Sequence, residues 1–158
     1  MHAEIKKELI FLDKEYIQTD DYFVDINHQL QKCGFVEHSF LSAIKTRELN
    51  FPTGLPVNSC AIAIPHCDSD HIKEPFVSFT RLLNTIPFIQ LGSQDIYLPV
   101  KMIFMLGFTK DDPEQIVLLQ HLMEFFMDDN CVTQLLEAKE VQECYAILTE
   151  YLKINEEV

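Results

Sequence analysis

The sequence predicts an α/β fold in three layers, with helices covering both faces of one β-sheet. Three observations carry this. The run Cys60-Ala61-Ile62-Ala63-Ile64 is apolar at every position, and residues 100–106 are apolar at all but Lys101, as in strands buried on both faces. Apolar residues three and four apart, the mark of amphipathic helices, occur before the first run and after the second. The 158 residues, 47% of them hydrophobic, suffice for one domain with a sizeable core, taken as residues 1–158.

Taken in order, Leu9-Ile10-Phe11-Leu12 reads as a first or edge strand. Asp20 and Asp21 suit the cap of a following helix, in which Phe23, Ile26, Leu30 and Cys33 recur at helical spacing and Gly34 supplies the stop. Residues 37–48 form a second helix with Phe40, Leu41 and Ile44 inward, delivering Arg47-Glu48 just ahead of a turn-rich stretch containing Pro52, Gly54 and Pro56. The apolar run that follows should stop at Ile64. Pro65 holds its predecessor extended and cannot donate to a ladder, which leaves His66 just past a strand end. Residues 75–83 read as a strand and 88–98 as a loop or hairpin turning at Gly92 and Asp95. The second apolar strand ends at Gly107. Asp112 suits an N-cap, Pro113 the first helical position and Gln115 the third, with Ile116, Leu119, Leu122, Met123 and Phe126 inward. Two further helices are expected near 131–138 (Val132, Leu135, Leu136) and 140–152 (Val141, Cys144, Leu148, Leu152). No repeat, low-complexity segment or linker interrupts the chain.

Twelve basic against twenty-five acidic residues give a net charge of −13, which excludes binding to a nucleic-acid backbone. That charge suits a basic protein partner, and equally suits simple solubility. The five cysteines, at 33, 60, 67, 131 and 144, are odd in number and scattered, so no disulfide framework is implied. The first residues carry no apolar signal core, and no apolar run approaches the ~20 residues of a membrane span. A reduced, cytoplasmic protein without membrane insertion is expected.

Of the six histidines, His2 is terminal, His28 and His38 fall on or beside polar helical faces, and His121 projects with Glu114, Gln120 and Glu124 on a solvated face. His66 and His71 remain. The segment His66-Cys67-Asp68-Ser69-Asp70-His71 offers metal-ligand types, but no second ligand pair lies elsewhere. A Cys67–histidine nucleophile is disfavoured because adjacent side chains on an extended segment point apart. His66 as a nucleophile toward phosphorus is the alternative: neutral imidazole is available near pH 7, and phosphoryl transfer asks mainly for positioning and for donors to the equatorial oxygens. Candidate donors are Arg47, the Thr53 hydroxyl, the amides around Gly54 and the N-terminus of the helix at Pro113.

Arg47-Glu48, then Pro52-Thr53-Gly54-Leu55, then Ala61-Ile62-Ala63-Ile64-Pro65-His66, in that order, resembles the signature of enzyme IIA components of the mannitol/fructose class of the bacterial phosphoenolpyruvate-dependent sugar phosphotransferase system. The likeness runs from about Phe11 to the last helix. It implies an α/β sandwich with a central mixed sheet. It also implies that His66 accepts a phosphoryl group from the phosphocarrier HPr, on Nε2, and passes it to a cysteine of an enzyme IIB partner, serving the membrane component IIC indirectly. Arg47 matches the family arginine that steadies the phosphoryl oxygens. Gln115 stands where the family commonly has a second histidine, and His121 lies six residues further on. The PTG, AIPHC and glutamine combination resembles the galactitol branch. No cofactor or metal is implied. The other readings are a regulatory phosphohistidine module not coupled to transport, and a metal-binding protein using His66, Cys67 and His71.

Overall fold

The computed structural model describes residues 3–110 and 112–152, so His2 lies outside the described residues. In chain order the elements are β1 (Ile5–Lys14), α1 (Thr19–Lys32), α2 (Phe40–Asn50), β2 (Gly54–Pro56), β3 (Ala61–Ala63), a 3-10 turn at Ser69–His71, β4 (Phe76–Ile89), β5 (Tyr97–Gly107), α3 (Gln115–Met127), α4 (Asp129–Glu137) and α5 (Val141–Tyr151). The sheet order is β1-β4-β5-β3-β2. β1 with β4 and β3 with β5 are parallel, whereas β4 with β5 and β2 with β3 are antiparallel, so the sheet is mixed.

Two cores lie on opposite faces of this sheet. Tyr22, Phe23, Ile26 and Leu30 of α1 and Phe40 and Ile44 of α2 pack with Phe76, Ile103 and Met105. Leu118, Leu122, Phe125 and Phe126 of α3, with Val132, Leu135, Cys144 and Leu148 of the last two helices, pack with Val77, Phe79, Phe104 and Leu106. The alternation along β5 explains why its sequence is continuously apolar: both faces are dry. Truncating Phe104, which is fully buried, to alanine would cost about 3–5 kcal/mol. A buried cation ties the layers together. Arg81 of β4 donates from Nη1 to the carbonyls of Leu135 at 2.9 Å and Ala138 at 2.5 Å, at the C-terminal end of α4, and from Nη2 to Asp13 of β1 at 3.1 Å. These bonds satisfy carbonyls that a helix end leaves open.

The strands expected at 9–12, 60–64, 75–83 and 100–106 are present with shifted bounds, and the residues at 88–98 belong to a hairpin. β4 runs on to Ile89 and the turn closes with Gln90 N–H donating to the Ile96 carbonyl at 2.8 Å. Pro87 is tolerated there because the register with β1 reaches only Leu82. β2 was not expected: Gly54-Leu55-Pro56 carries turn residues, yet it pairs as the sheet edge, where a proline costs no ladder bond. Gly54 is required, since a Cβ would meet the Ile89 carbonyl oxygen at 2.8 Å.

Three helix details depart from expectation. Asp20 and Asp21 lie in the first turn of α1 rather than at its cap. The N-cap is Gln18, whose N–H donates to Asp21 at 3.2 Å. Cys33 is the exposed C-cap, and Gly34 follows in the left-handed region at φ +80°. α3 begins at Gln115 behind Glu114, so Asp112 is not its cap and Gln115 is not at its third position. The Asp112 carboxylate instead accepts from Glu114 N–H at 2.9 Å and Ala3 N–H at 3.0 Å. Its inward face is Leu118, Leu122, Phe125 and Phe126, while Ile116 and Met123 are exposed. The reason is that α3 is apolar nearly all round, so two overlapping stripes fit a 3.6-residue period. That rotation leaves His121 half-buried rather than on a solvated face. Among the described residues no helix is long and apolar enough to cross a membrane.

Candidate active site

Parallel strands β3 and β5 end side by side, and the site is built just past their carboxyl ends, as ligand sites of open α/β sheets are. Beyond β3, the Pro65 carbonyl still accepts from Leu106 N–H of β5 at 3.0 Å, fixing the chain up to His66. His66 is half-buried in a cleft of about 260 Å³ whose lining includes Arg47 of α2, Asp68, Ser69, Lys110 and Gln115 at the start of α3. Three expected site residues, Arg47, His66 and Gln115, thus meet in one cleft although they lie on three separate elements. Asp68, weighed from sequence only as a metal-ligand type, and Lys110, not picked out at all, also line it. Exposed polar residues in loops give no periodic signal that would single them out.

The imidazole orientation follows from one bond. His66 Nδ1 lies 2.8 Å from the Ile64 carbonyl oxygen, which can only accept, so Nδ1 carries the proton and Nε2 holds the lone pair. Burial holds the His66 pKa below the ordinary imidazole range. The bond to Ile64 opposes that shift and the Arg47 charge reinforces it. The ring is therefore neutral and nucleophilic at neutral pH. Arg47 stacks its guanidinium on the Phe51 ring at 4.5 Å and pairs with Asp68 at 3.8 Å.

Thr53 and Gly54 do not line this cleft. The buried Thr53 hydroxyl donates to the Glu48 carboxylate, at 2.9 and 3.1 Å from its two oxygens, and accepts from Ile64 N–H at 3.2 Å. Thr53 N–H donates to Glu48 Oε2 at 2.8 Å. Glu48 itself is buried, and burial raises its pKa to about 7 despite the bonds from Thr53. The sequence names it only as part of the Arg47-Glu48 signature and gives it no role, because a charged residue near a helix end reads as solvated.

The other chemistries are poorly served. Burial, with Asp68 adding to it, pushes the Cys67 thiol up to about 12, so it is not a thiolate at neutral pH. His71 lines a different cavity and shares a hydrogen bond of 2.7 Å between its Nδ1 and Ser39 Oγ. Among the described residues no three His, Cys, Asp or Glu side chains gather as a metal site.

Comparison with known proteins gives the family and the fold. Residues 4–151 match the family described as phosphoenolpyruvate-dependent sugar phosphotransferase system, EIIA 2. The galactitol-specific EIIA component of Escherichia coli is 27% identical over 138 residues, covering 87% of each chain. Among solved structures, enzyme IIAMTL in its complex with phosphorylated enzyme IIBMTL from Escherichia coli superposes with a TM-score of 0.75 at 21% identity, over 94% of this chain and 99% of that one. The nitrogen regulatory protein IIA-Ntr of Neisseria meningitidis gives 0.76 at 24%, over 92% and 96%. With nearly its whole described length matched, the chain belongs to the EIIA 2 family of the phosphoenolpyruvate-dependent sugar phosphotransferase system and is a phosphotransferase component of that system.

Proposed function

We propose that the protein is a phosphohistidine carrier that accepts a phosphoryl group from HPr on His66 Nε2 and passes it to a cysteine of an enzyme IIB partner. The observation that carries this is the 2.8 Å bond of Nδ1–H to the Ile64 carbonyl, which leaves Nε2 as the free nucleophile in a cleft with a guanidinium. Nε2 attacks phosphorus as the donor's bond to it breaks in line. The ring becomes a phosphorylated imidazolium whose remaining N–H is already held by a carbonyl dipole. Arg47 offers two donors to the equatorial oxygens and the Gln115 amide offers another. Transfer to the acceptor cysteine reverses these steps and restores the neutral ring. Thr53 acts behind the ring, through Ile64, rather than on phosphorus.

The likeness to the galactitol-specific component, over 87% of the chain, favours sugar-alcohol uptake of that type, with a membrane IIC component served through IIB on the cytoplasmic side. Incubation with phosphoenolpyruvate, enzyme I and HPr should add one acid-labile, base-stable phosphoryl group, which a cognate IIB then removes. His66→Ala should abolish the uptake and keep the fold. Base-stable phosphate on that variant would refute the assignment.

A further inference from the structure

Phe40, Ile44 and Glu48 stand four residues apart on the buried face of α2. The third place in such a stripe suits leucine, yet it holds a carboxyl group only 9% exposed. Burying that group is unfavourable unless it is hydrogen-bonded, and a departure from local consistency of this kind is expected at functional sites. No cation pairs with Glu48 among the described residues; the bonds it receives come from Thr53 alone, at 2.8, 2.9 and 3.1 Å. Thr53 then takes the Ile64 N–H at 3.2 Å, and Ile64 takes His66 Nδ1–H at 2.8 Å. Glu48 is outside the His66 cleft and lines a separate cavity between α1, α2 and the β4–β5 hairpin, so it does not reach a phosphoryl group.

We propose that Glu48 is a positioning residue: through Thr53 it fixes Ile64, and through the Ile64 carbonyl it fixes the ring orientation and the Nδ1–H tautomer of His66. An ionised carboxylate only accepts, so the Thr53 hydroxyl must point its proton at Glu48 and present a lone pair to Ile64 N–H. That bond holds Ile64 where the β3 ladder has ended and Pro65 offers no N–H. A solvated histidine side chain prefers the other tautomer, with the proton on Nε2, which would block the nucleophile. A carbonyl fixed at 2.8 Å from Nδ1 reverses that preference, and the Glu48–Thr53 pair is what fixes the carbonyl.

The inference rests on His66 being the phosphoryl acceptor for its kinetic consequence but not for its structural one, so the test has two readouts. Ring 15N signals of His66 are recorded on unphosphorylated protein near pH 8, and steady-state transfer from phosphorylated HPr is measured beside them. Thr53→Val, which removes the hydroxyl and keeps the shape, and Glu48→Gln should both raise the Nε2–H fraction and lower kcat about tenfold, ~1.4 kcal/mol in the barrier, at unchanged KM. Thr53→Ser should restore the Nδ1–H signature. Folded variants with wild-type ring signals and kcat would overturn the proposal. Should either variant fail to fold, Glu48→Asp, which withdraws the carboxylate by one methylene, must still shift the ring signals, and unchanged signals there would overturn it equally. If the wild type takes up no phosphate, the carrier reading fails while the tautomer comparison still decides this one.

Discussion

Replacing Arg47 by lysine separates geometry from charge at the site. Both side chains are cationic, but lysine lacks the planar fork that meets two phosphoryl oxygens at once. The loss is one charge-assisted hydrogen bond in the transition state, about 1.5–3 kcal/mol, or a rate about ten- to a hundredfold lower. The effect on stability should be far smaller. The Arg47–Asp68 pair spans 3.8 Å with Asp68 largely exposed, and such pairs contribute about 0–1 kcal/mol. The Phe51 stacking at 4.5 Å is likewise near the surface, worth about 0.5–1 kcal/mol. Lysine keeps the charge and so part of both contacts, which leaves a loss of about 1 kcal/mol at most and a melting shift of no more than ~2–4 °C for a chain of this size. Rapid-quench measurement of phosphoryl transfer from HPr, with thermal melts on the same preparations, makes the comparison. A transfer rate within about twofold of wild type would refute the two-oxygen role. A rate loss accompanied by global destabilisation would reassign Arg47 to structure.

Other outcomes follow from the same geometry. Gln115 is exposed at the first position of α3, so Gln115→Ala should slow transfer with little change in melting temperature, and Gln115→His should retain activity while adding a titration near ~6.5 to the pH–rate profile; a stability loss at an unchanged rate per folded molecule would make it a structural residue only. Because the His66 pKa is depressed, phosphoryl uptake by Glu48→Gln, which has no carboxyl to titrate near 7, should stay flat from pH 8 down through the ordinary imidazole range and fall only below it; a midpoint at or above ~6.5 in that variant would contradict the burial argument. Glu48, raised in the folded state to about 7 from an unfolded value near ~4.3, adds stability that is complete below the unfolded value and is lost as pH rises through about 7. Denaturant melts of Glu48→Gln should therefore gain on wild type between pH 5 and pH 8, by on the order of 3 kcal/mol, and a constant gap would show the carboxyl to be ordinary. With a net charge of −13, encounter with a basic HPr surface should slow as salt is raised, and salt-independent kinetics would assign the acidic excess to solubility alone.

Much of this arrangement could be read from residues. The Ile64-Pro65 step announced where β3 stops and left His66 at a strand end, and the two apolar runs announced a sheet covered on both faces. Arg47 could be proposed but not placed: only the return from α2 through β2 to β3 brings it beside His66, and that return is tertiary. β2 was hidden because three residues with a glycine and a proline carry turn chemistry and no strand alternation. The face of α3 was misassigned because Ile116, Leu118, Leu119, Leu122, Met123, Phe125 and Phe126 satisfy two helical stripes equally, and packing chose between them. Glu48 was passed over for the opposite reason. Its stripe with Phe40 and Ile44 was visible, but the default for a carboxylate is water, and its partner Thr53 lies across a turn.

Intact mass and site mapping after incubation with phosphoenolpyruvate, enzyme I and HPr test the central claim most directly. One phosphoryl group is expected, attached at Nε2 of His66, acid-labile and discharged on adding a cognate IIB. Absence of the group with all components active, or its attachment at Nδ1 of His66 or at any other residue, would contradict it.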